Sequence, residues 1–149
     1  MRAVGIKYDI RKIEPYAAYN NVDFEVPVRE DGDAYSRLWV IRDEMLQSAS
    51  IIMQCIEKMP KGKVYIRTPN PFKWIIPEGE TYVRVESSRG ELGLYMVSDG
   101  GNRPYRVHFR TPSFTNGILI LEKLLTNASI ADVGNIMISL YVVAPEIDR

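Results

Sequence analysis

The stretch TYVRVESSRGELGLYMVSDGGNRPYRVHFR, residues 81–110, decides the fold class. Thr81 to Ser87 is rich in Val and Tyr. Glu91 to Ser98 follows an Arg-Gly corner. Tyr105 to Arg110 follows Asp99-Gly100-Gly101-Asn102. β-branched and aromatic residues suit a pleated backbone, and the Gly-rich tetrad is a hairpin signal. Strands this close in sequence pair with their neighbours. The stretch therefore predicts a three-stranded antiparallel meander over 81–110. Gly90 lets the backbone turn without a Cβ clash, so Arg89 projects from the corner in a fixed direction. A guanidinium held that way suits a carboxylate or a carbonyl; a purely structural arginine fits the same residues. Arg106, His108 and Arg110 alternate and share one strand face.

Working outward, 60–80 holds Pro60, Pro69, Pro71 and Pro77 with Gly62 and Gly79, and reads as a loop with a brief strand at Val64–Arg67. Its Phe72, Trp74, Ile75 and Ile76 are too apolar for a free linker. Before it, Leu38, Ile41, Met45, Ala49, Ile52, Ile56 and Met59 recur every three or four residues and form one face of a helix over 33–59. Glu30-Asp31-Gly32-Asp33 is a turn leading to its N-cap. Residues 1–32 read as irregular, with an edge strand at 22–28 where Val22, Phe24, Val26 and Val28 alternate with polar residues. After the meander, Pro112-Ser113 starts a helix whose apolar residues are Ile118, Leu119, Leu121, Leu124 and Leu125. A second helix spans 130–141. The class is α+β, with 112–149 a helical C-terminus.

The 149 residues make one ordinary domain, 46% hydrophobic and 26% charged. Nineteen basic residues balance nineteen acidic ones, which removes any general electrostatic drive toward nucleic acid or an anionic membrane. No apolar run approaches the ~20 residues of a membrane-spanning helix. One cysteine, Cys55, excludes an internal disulfide and a Cys-rich metal site; its helical setting reads as a buried structural thiol. His108 is the one imidazole; no triad partner lies near it in sequence, so it reads as a plain strand histidine. P-loop, dinucleotide-fold and nucleophile-elbow signatures are absent.

Several separate stretches together resemble one family. YDIRKIEPY (8–16), DFEVPV (23–28) and GDAYSRLWVIRDEMLQSASII (32–52) come first. YVRVESSRGELGLYMVSDG (82–100), RPYRVHFRTPSF (103–114), IADVGNIMISL (130–140) and the terminal EIDR (146–149) follow. Their order and spacing resemble the C-terminal part of the D subunit of respiratory complex I, the NADH:quinone oxidoreductase. The resemblance covers essentially the whole chain. It implies a nickel–iron hydrogenase large-subunit type of fold that has lost its metal, since the tail YVVAPEIDR carries no cysteine.

The resemblance implies a fragment that helps build a quinone cavity with the neighbouring iron–sulfur subunit. Clusters belong to partner subunits, and the fragment alone is expected to bind no cofactor and show no turnover. It implies a place on the cytoplasmic side of the cell membrane, peripheral through the complex. Arg89 matches the arginine that hydrogenase relatives bring near the metal, and Val142 matches a position near the quinone pocket; Asp132, with Val133, lies in the adjoining helix. These are the expected quinone-site residues. The family's quinone-headgroup histidine and tyrosine belong to its N-terminal part, and His108 does not match that histidine. Ser87-Ser88 replaces the usual Ala-Pro before Arg-Gly, and Ala144-Pro145 stands where a Gly is common. Two rival readings are a relative with another donor, such as reduced deazaflavin or ferredoxin, and a scaffold or assembly module using Trp74–Ile76 and the basic strand face.

Overall fold

The computed structural model describes residues 1–68, 70 and 73–148. Strands β1 (Gly79–Ser87), β2 (Gly90–Ser98) and β3 (Arg106–Arg110) form an antiparallel sheet in the order β1-β2-β3. The meander is as the sequence predicts, with β1 beginning two residues earlier. Ser87 pairs with Gly90, and Gly93 pairs with Arg110. This register puts Arg84, Glu86, Glu91, Tyr95, Arg106, His108 and Arg110 on one face. Val83, Val85, Leu92, Leu94, Met96, Val107 and Phe109 take the other.

Glu86 and Glu91 stand directly opposite each other, a pairing that repels. Cations offset it. Arg2 reaches Glu86 at 2.7 Å, Arg110 reaches Glu91 at 2.9 Å and Arg84 reaches Glu91 at 3.5 Å. The Tyr8 hydroxyl also donates to Glu91, and this bond first, then burial, raises the phenol above its ordinary range. Arg2 bridges further to Glu44 and, at 3.3 Å, to Asp9. Asp9 is buried; it caps the short helix α1 (Ile10–Ile13) and accepts from the Arg11 side chain at 2.9 and 2.7 Å. Burial pushes its carboxyl up, but the Arg11 hydrogen bonds and the charges of Arg11 and Arg2 outweigh that and hold it low. The N-terminal segment is thus tied by charge to both sheet and helix.

Helix α2 (Ala34–Glu57) has 24 residues and is capped by Asp33, whose side chain accepts from the Ser36 amide at 2.7 Å. Its bounds fall inside the predicted 33–59. The predicted apolar face exists, yet it is the uncovered one: Met45 is 61% exposed, Ile52 58% and Ile56 59%. The stripe facing the chain's own fold instead carries Ser36, Val40, Gln47, Ile51 and Gln54. Cys55 is exposed, not buried as expected, because nothing among the described residues covers its side of α2.

The expected edge strand over 22–28 does not form. Val22, Phe24 and Val26 are buried as the alternation requires, with Tyr19 and Ile51 packed against them. The segment is extended, but helix side chains replace a ladder. Gln54 accepts from the Asp23 amide at 2.8 Å and donates to the Asp23 carbonyl at 2.6 Å, and Gln47 accepts from the Glu25 amide at 3.0 Å. Long amides satisfy backbone donors and acceptors as a neighbouring strand would. The short strand expected at Val64–Arg67 is also missing; Val64 and Ile66 are exposed with no partner strand among the described residues. Of the apolar loop residues, Phe72 lies outside the described residues. Ile76 is held by its backbone to the hairpin, through Gly101 at 3.1 Å and Ser98 at 3.0 Å, while Ile75 is 77% exposed.

The C-terminal helices are α3 (Pro112–Phe114), α4 (Leu121–Leu125), α5 (Val133–Leu140) and α6 (Ala144–Ile147). Between α3 and α4, residues Thr115–Ile120 form a π-helical turn, so the first predicted helix continues through a widened turn. The second begins as a 3-10 turn at Ile130–Asp132 and ends where Tyr141 adopts the left-handed conformation, φ 58°. Arg37 of α2 donates to Ser139 of α5 at 3.0 Å, which fixes α5 against α2.

Candidate functional site

Three stretches distant in sequence meet at one cleft. The first is the corner between β1 and β2. Gly90 has φ +136°, and a Cβ there would sit 3.2 Å from Pro112 Cβ. That position needs glycine both for its backbone and for its closeness to the second stretch, Thr111-Pro112-Ser113. Thr111 and Ser113 are buried. Their hydroxyls grip the third stretch, α6. Thr111 donates to the Glu146 carbonyl at 2.7 Å, Ser113 donates to the Glu146 carboxylate, and Ser113 accepts from the Val143 amide at 3.4 Å. A four-residue helix has no stability of its own, so these bonds and the proline at its start hold it in place.

Leu92, Phe109, Thr111, Val143, Pro145 and Glu146 line a broad, open cavity of about 350 Å³. Leu92, Phe109, Val143 and Pro145 supply apolar surface. Glu146 supplies charge, and Arg89 stands beside it with Nη1 3.9 Å from Oε1. The Arg89 guanidinium also lies 5.3 Å from the centre of the Tyr141 ring. Arg89 is half-buried, so the corner arginine turns toward the C-terminal segment.

The expected residues divide. Arg89 stands beside the cleft, against its lining residue Glu146, and is not itself among the residues that line the cavity. Val142 is in the same segment but packs backward: a Cβ on Gly117, in the π turn, would lie 2.9 Å from Val142 Cγ1 and 3.1 Å from Ile147 Cδ1. Its neighbour Val143 lines the cavity. Asp132 is exposed at the start of α5, roughly 13 Å along that helix from Tyr141 at 1.5 Å per residue, and no described hydrogen bond or ion pair joins it to Arg89. Glu146, Thr111, Ser113 and Phe109 were not singled out. Thr-Pro-Ser reads locally as a helix start, and the end-to-end pairing that makes it a clamp has no local signal. His108 is exposed on the opposite sheet face.

The profile of a family described as "Respiratory-chain NADH dehydrogenase, 49 Kd subunit" matches residues 1–74 and 72–149. The chain belongs to this family. It is 46% identical to the NADH-quinone oxidoreductase D subunit of Thermosipho melanesiensis, over 100% of this chain and 41% of that protein. It is 44% identical to the same-named D subunit of Desulforamulus reducens, over 99% of this chain and 40% of that one. A solved chain from the membrane-bound sulfane sulfur reductase, an archaeal respiratory membrane complex, superposes with TM-score 0.92 at 43% identity, covering 99% of this chain and 41% of that one. The chain therefore spans about two fifths of the relatives it matches. No described helix is long and apolar enough to cross a membrane.

Proposed function

We propose that this chain supplies part of the quinone site of an NADH:quinone oxidoreductase, as a piece of its D subunit. The single observation that carries the reading is the meeting of the Arg-Gly corner, Thr111-Pro112-Ser113 and the C-terminal helix at one cleft. A quinone headgroup is a flat apolar ring with two carbonyl acceptors. Leu92, Phe109, Val143 and Pro145 suit the ring, and the Arg89 guanidinium suits a carbonyl. Glu146 holds Arg89 at the cleft edge, and Val142 supports Val143 from behind. Asp132 belongs to the outer rim of the same region. The cavity is too open to retain a small ligand alone, so the neighbouring iron–sulfur subunit closes it and delivers electrons from its cluster. The chain reaches the cytoplasmic side of the membrane through the complex.

The test is steady-state kinetics of the assembled complex. Arg89→Ala should raise the KM for a short-chain quinone about 10- to 100-fold, the worth of one hydrogen bond from a charged donor. Arg89→Lys should recover part of it. A KM unchanged in both variants overturns the assignment. The sulfane sulfur reductase supports a second reading, in which the same cleft serves a sulfur acceptor. A complex that reduces sulfane sulfur and leaves quinone untouched would establish it. The scaffold reading draws on exposed Ile75 and β3; full quinone turnover in a complex lacking this chain would support it.

A further inference from the structure

Tyr141 stands where its residue type is out of place. It ends α5 in the left-handed conformation, φ 58° and ψ 33°, with its amide bonded to the Ile138 carbonyl at 3.0 Å. A Cβ crowds the backbone there, and glycine or asparagine is the usual occupant. The chain uses that ordinary solution just beyond the end of α4, where Asn127 has φ 63°. Tyr141 puts a far bulkier side chain in the same conformation. Burial does not explain it, since the residue is 46% exposed. Strain of this kind collects where a side chain has a task. The ring's described contact is with Arg89, whose guanidinium carbon lies 5.3 Å from the ring centre.

Both sides of this contact are anchored. Ser139, buried two residues before Tyr141, accepts from Arg37 at 3.0 Å and donates to the Ile136 carbonyl at 2.8 Å, which ties the last turn of α5 to α2. Arg89 leaves the Gly90 corner with the Tyr141 ring and the Glu146 carboxylate among its described partners. At 3.9 Å the carboxylate is beyond hydrogen-bond distance, so it attracts the charge without fixing its direction. An aromatic face against the guanidinium adds the missing restraint. We propose that Tyr141 is a positioning residue for Arg89, and that its ring sets the angle at which the guanidinium meets a ligand carbonyl at the cleft. The proposal deepens the quinone-site reading and rests on it for the ligand; the hold of the ring on Arg89 is measurable with no quinone present.

The test has two readouts. The first is the Arg89 Nε–H resonance in the 149-residue chain, which a ring face shifts upfield. Tyr141→Gly removes the ring and relieves the backbone, so the melting temperature should hold or rise while the resonance moves downfield. The second is steady-state kinetics of the assembled complex. Tyr141→Gly should raise the KM for a short-chain quinone about 3- to 30-fold, the range of one cation–π contact, with kcat little changed. Tyr141→Phe keeps the ring and should restore both readouts. An unmoved resonance in Tyr141→Gly overturns the proposal. So does an unmoved KM in that variant when Arg89→Ala raises it, or a lower melting temperature with both readouts kept, the mark of a purely structural tyrosine. Tyr141→Phe behaving like Tyr141→Gly would overturn it too, because the hydroxyl and not the ring would then matter. An unchanged KM in Arg89→Ala strikes the quinone reading instead, and a resonance that still moves would uphold the positioning of Arg89.

Discussion

Ser113→Ala should release helix α6 while leaving most of the molecule folded. The Ser113 hydroxyl belongs to a residue only 1% exposed, donates to the Glu146 carboxylate and accepts from the Val143 amide. A hydrogen bond to a charged group contributes about 1.5–3 kcal/mol. The helix it holds has four residues, too few to persist undocked. Among the described residues its other polar ties include the Thr111 bond to the Glu146 carbonyl and the 3.9 Å ion pair with Arg89. Losing about 1.5–3 kcal/mol from this set multiplies the undocked population by about 10–150. The assay is amide exchange at Glu146, whose N–H is bonded to the Val143 carbonyl at 3.1 Å. Its exchange should rise by that factor, while amides in the middle of α2 keep their rates. Thr111→Val removes a neutral bond and should act in the same direction by a smaller factor. An unchanged Glu146 rate in Ser113→Ala would refute the clamp. Equal acceleration in α2 would show instead that Ser113 supports the whole fold.

Asp9→Ala leaves the half-buried Arg2 and Arg11 cations short of a counter-charge and should cost about 3–5 kcal/mol in urea unfolding. The Asp9 carboxyl is held below its unfolded value near 3.9, so its stabilisation is present above that pH and lost as pH falls through the folded value. The variant should therefore lack that part of the wild-type decline below about pH 4, which stability measured against pH will show. Gly117→Ala puts a Cβ 2.9 Å from Val142 Cγ1. Overpacking of about 1–3 kcal/mol exceeds the helix gain of about 1 kcal/mol, so the melting temperature should drop and the Val142 methyl resonances should move. Gly90→Ala combines φ +136° with the Pro112 contact and should destabilise by more than about 1 kcal/mol, read from the same melting curve.

The sheet was legible because each of its strands pairs with the next one in sequence, so propensity and turn chemistry agree. Helix α2 was legible for a different reason: seven apolar positions kept its period over its whole length. What periodicity cannot tell is which face turns inward. Here a mixed stripe does, in which Val40 and Ile51 pack inward while Gln47 and Gln54 complete the backbone of the extended segment. The same bonds explain the missing strand at 22–28, whose alternation is real although its hydrogen bonds go to side chains. The buried setting expected for Cys55 fails because its side of α2 is uncovered among the described residues. At the cleft, Arg89 was legible from its glycine corner and from family resemblance. Glu146, Thr111 and Ser113 were not, since their pairing spans 33 to 35 residues and depends on a π turn with no local signature.

Gln54 presents both a donor and an acceptor to the N–H and the C=O of one residue, so it reads the backbone at Asp23 much as one nucleobase edge reads another. A side-chain amide offers both at once, an oxygen acceptor and an N–H donor side by side. Deamidation to glutamate would keep the acceptor for the Asp23 N–H and turn the other oxygen, a lone pair, against the Asp23 carbonyl. Chemical ageing at this one position would therefore loosen the strip that carries Phe24 into the core, with no bond in the main chain broken.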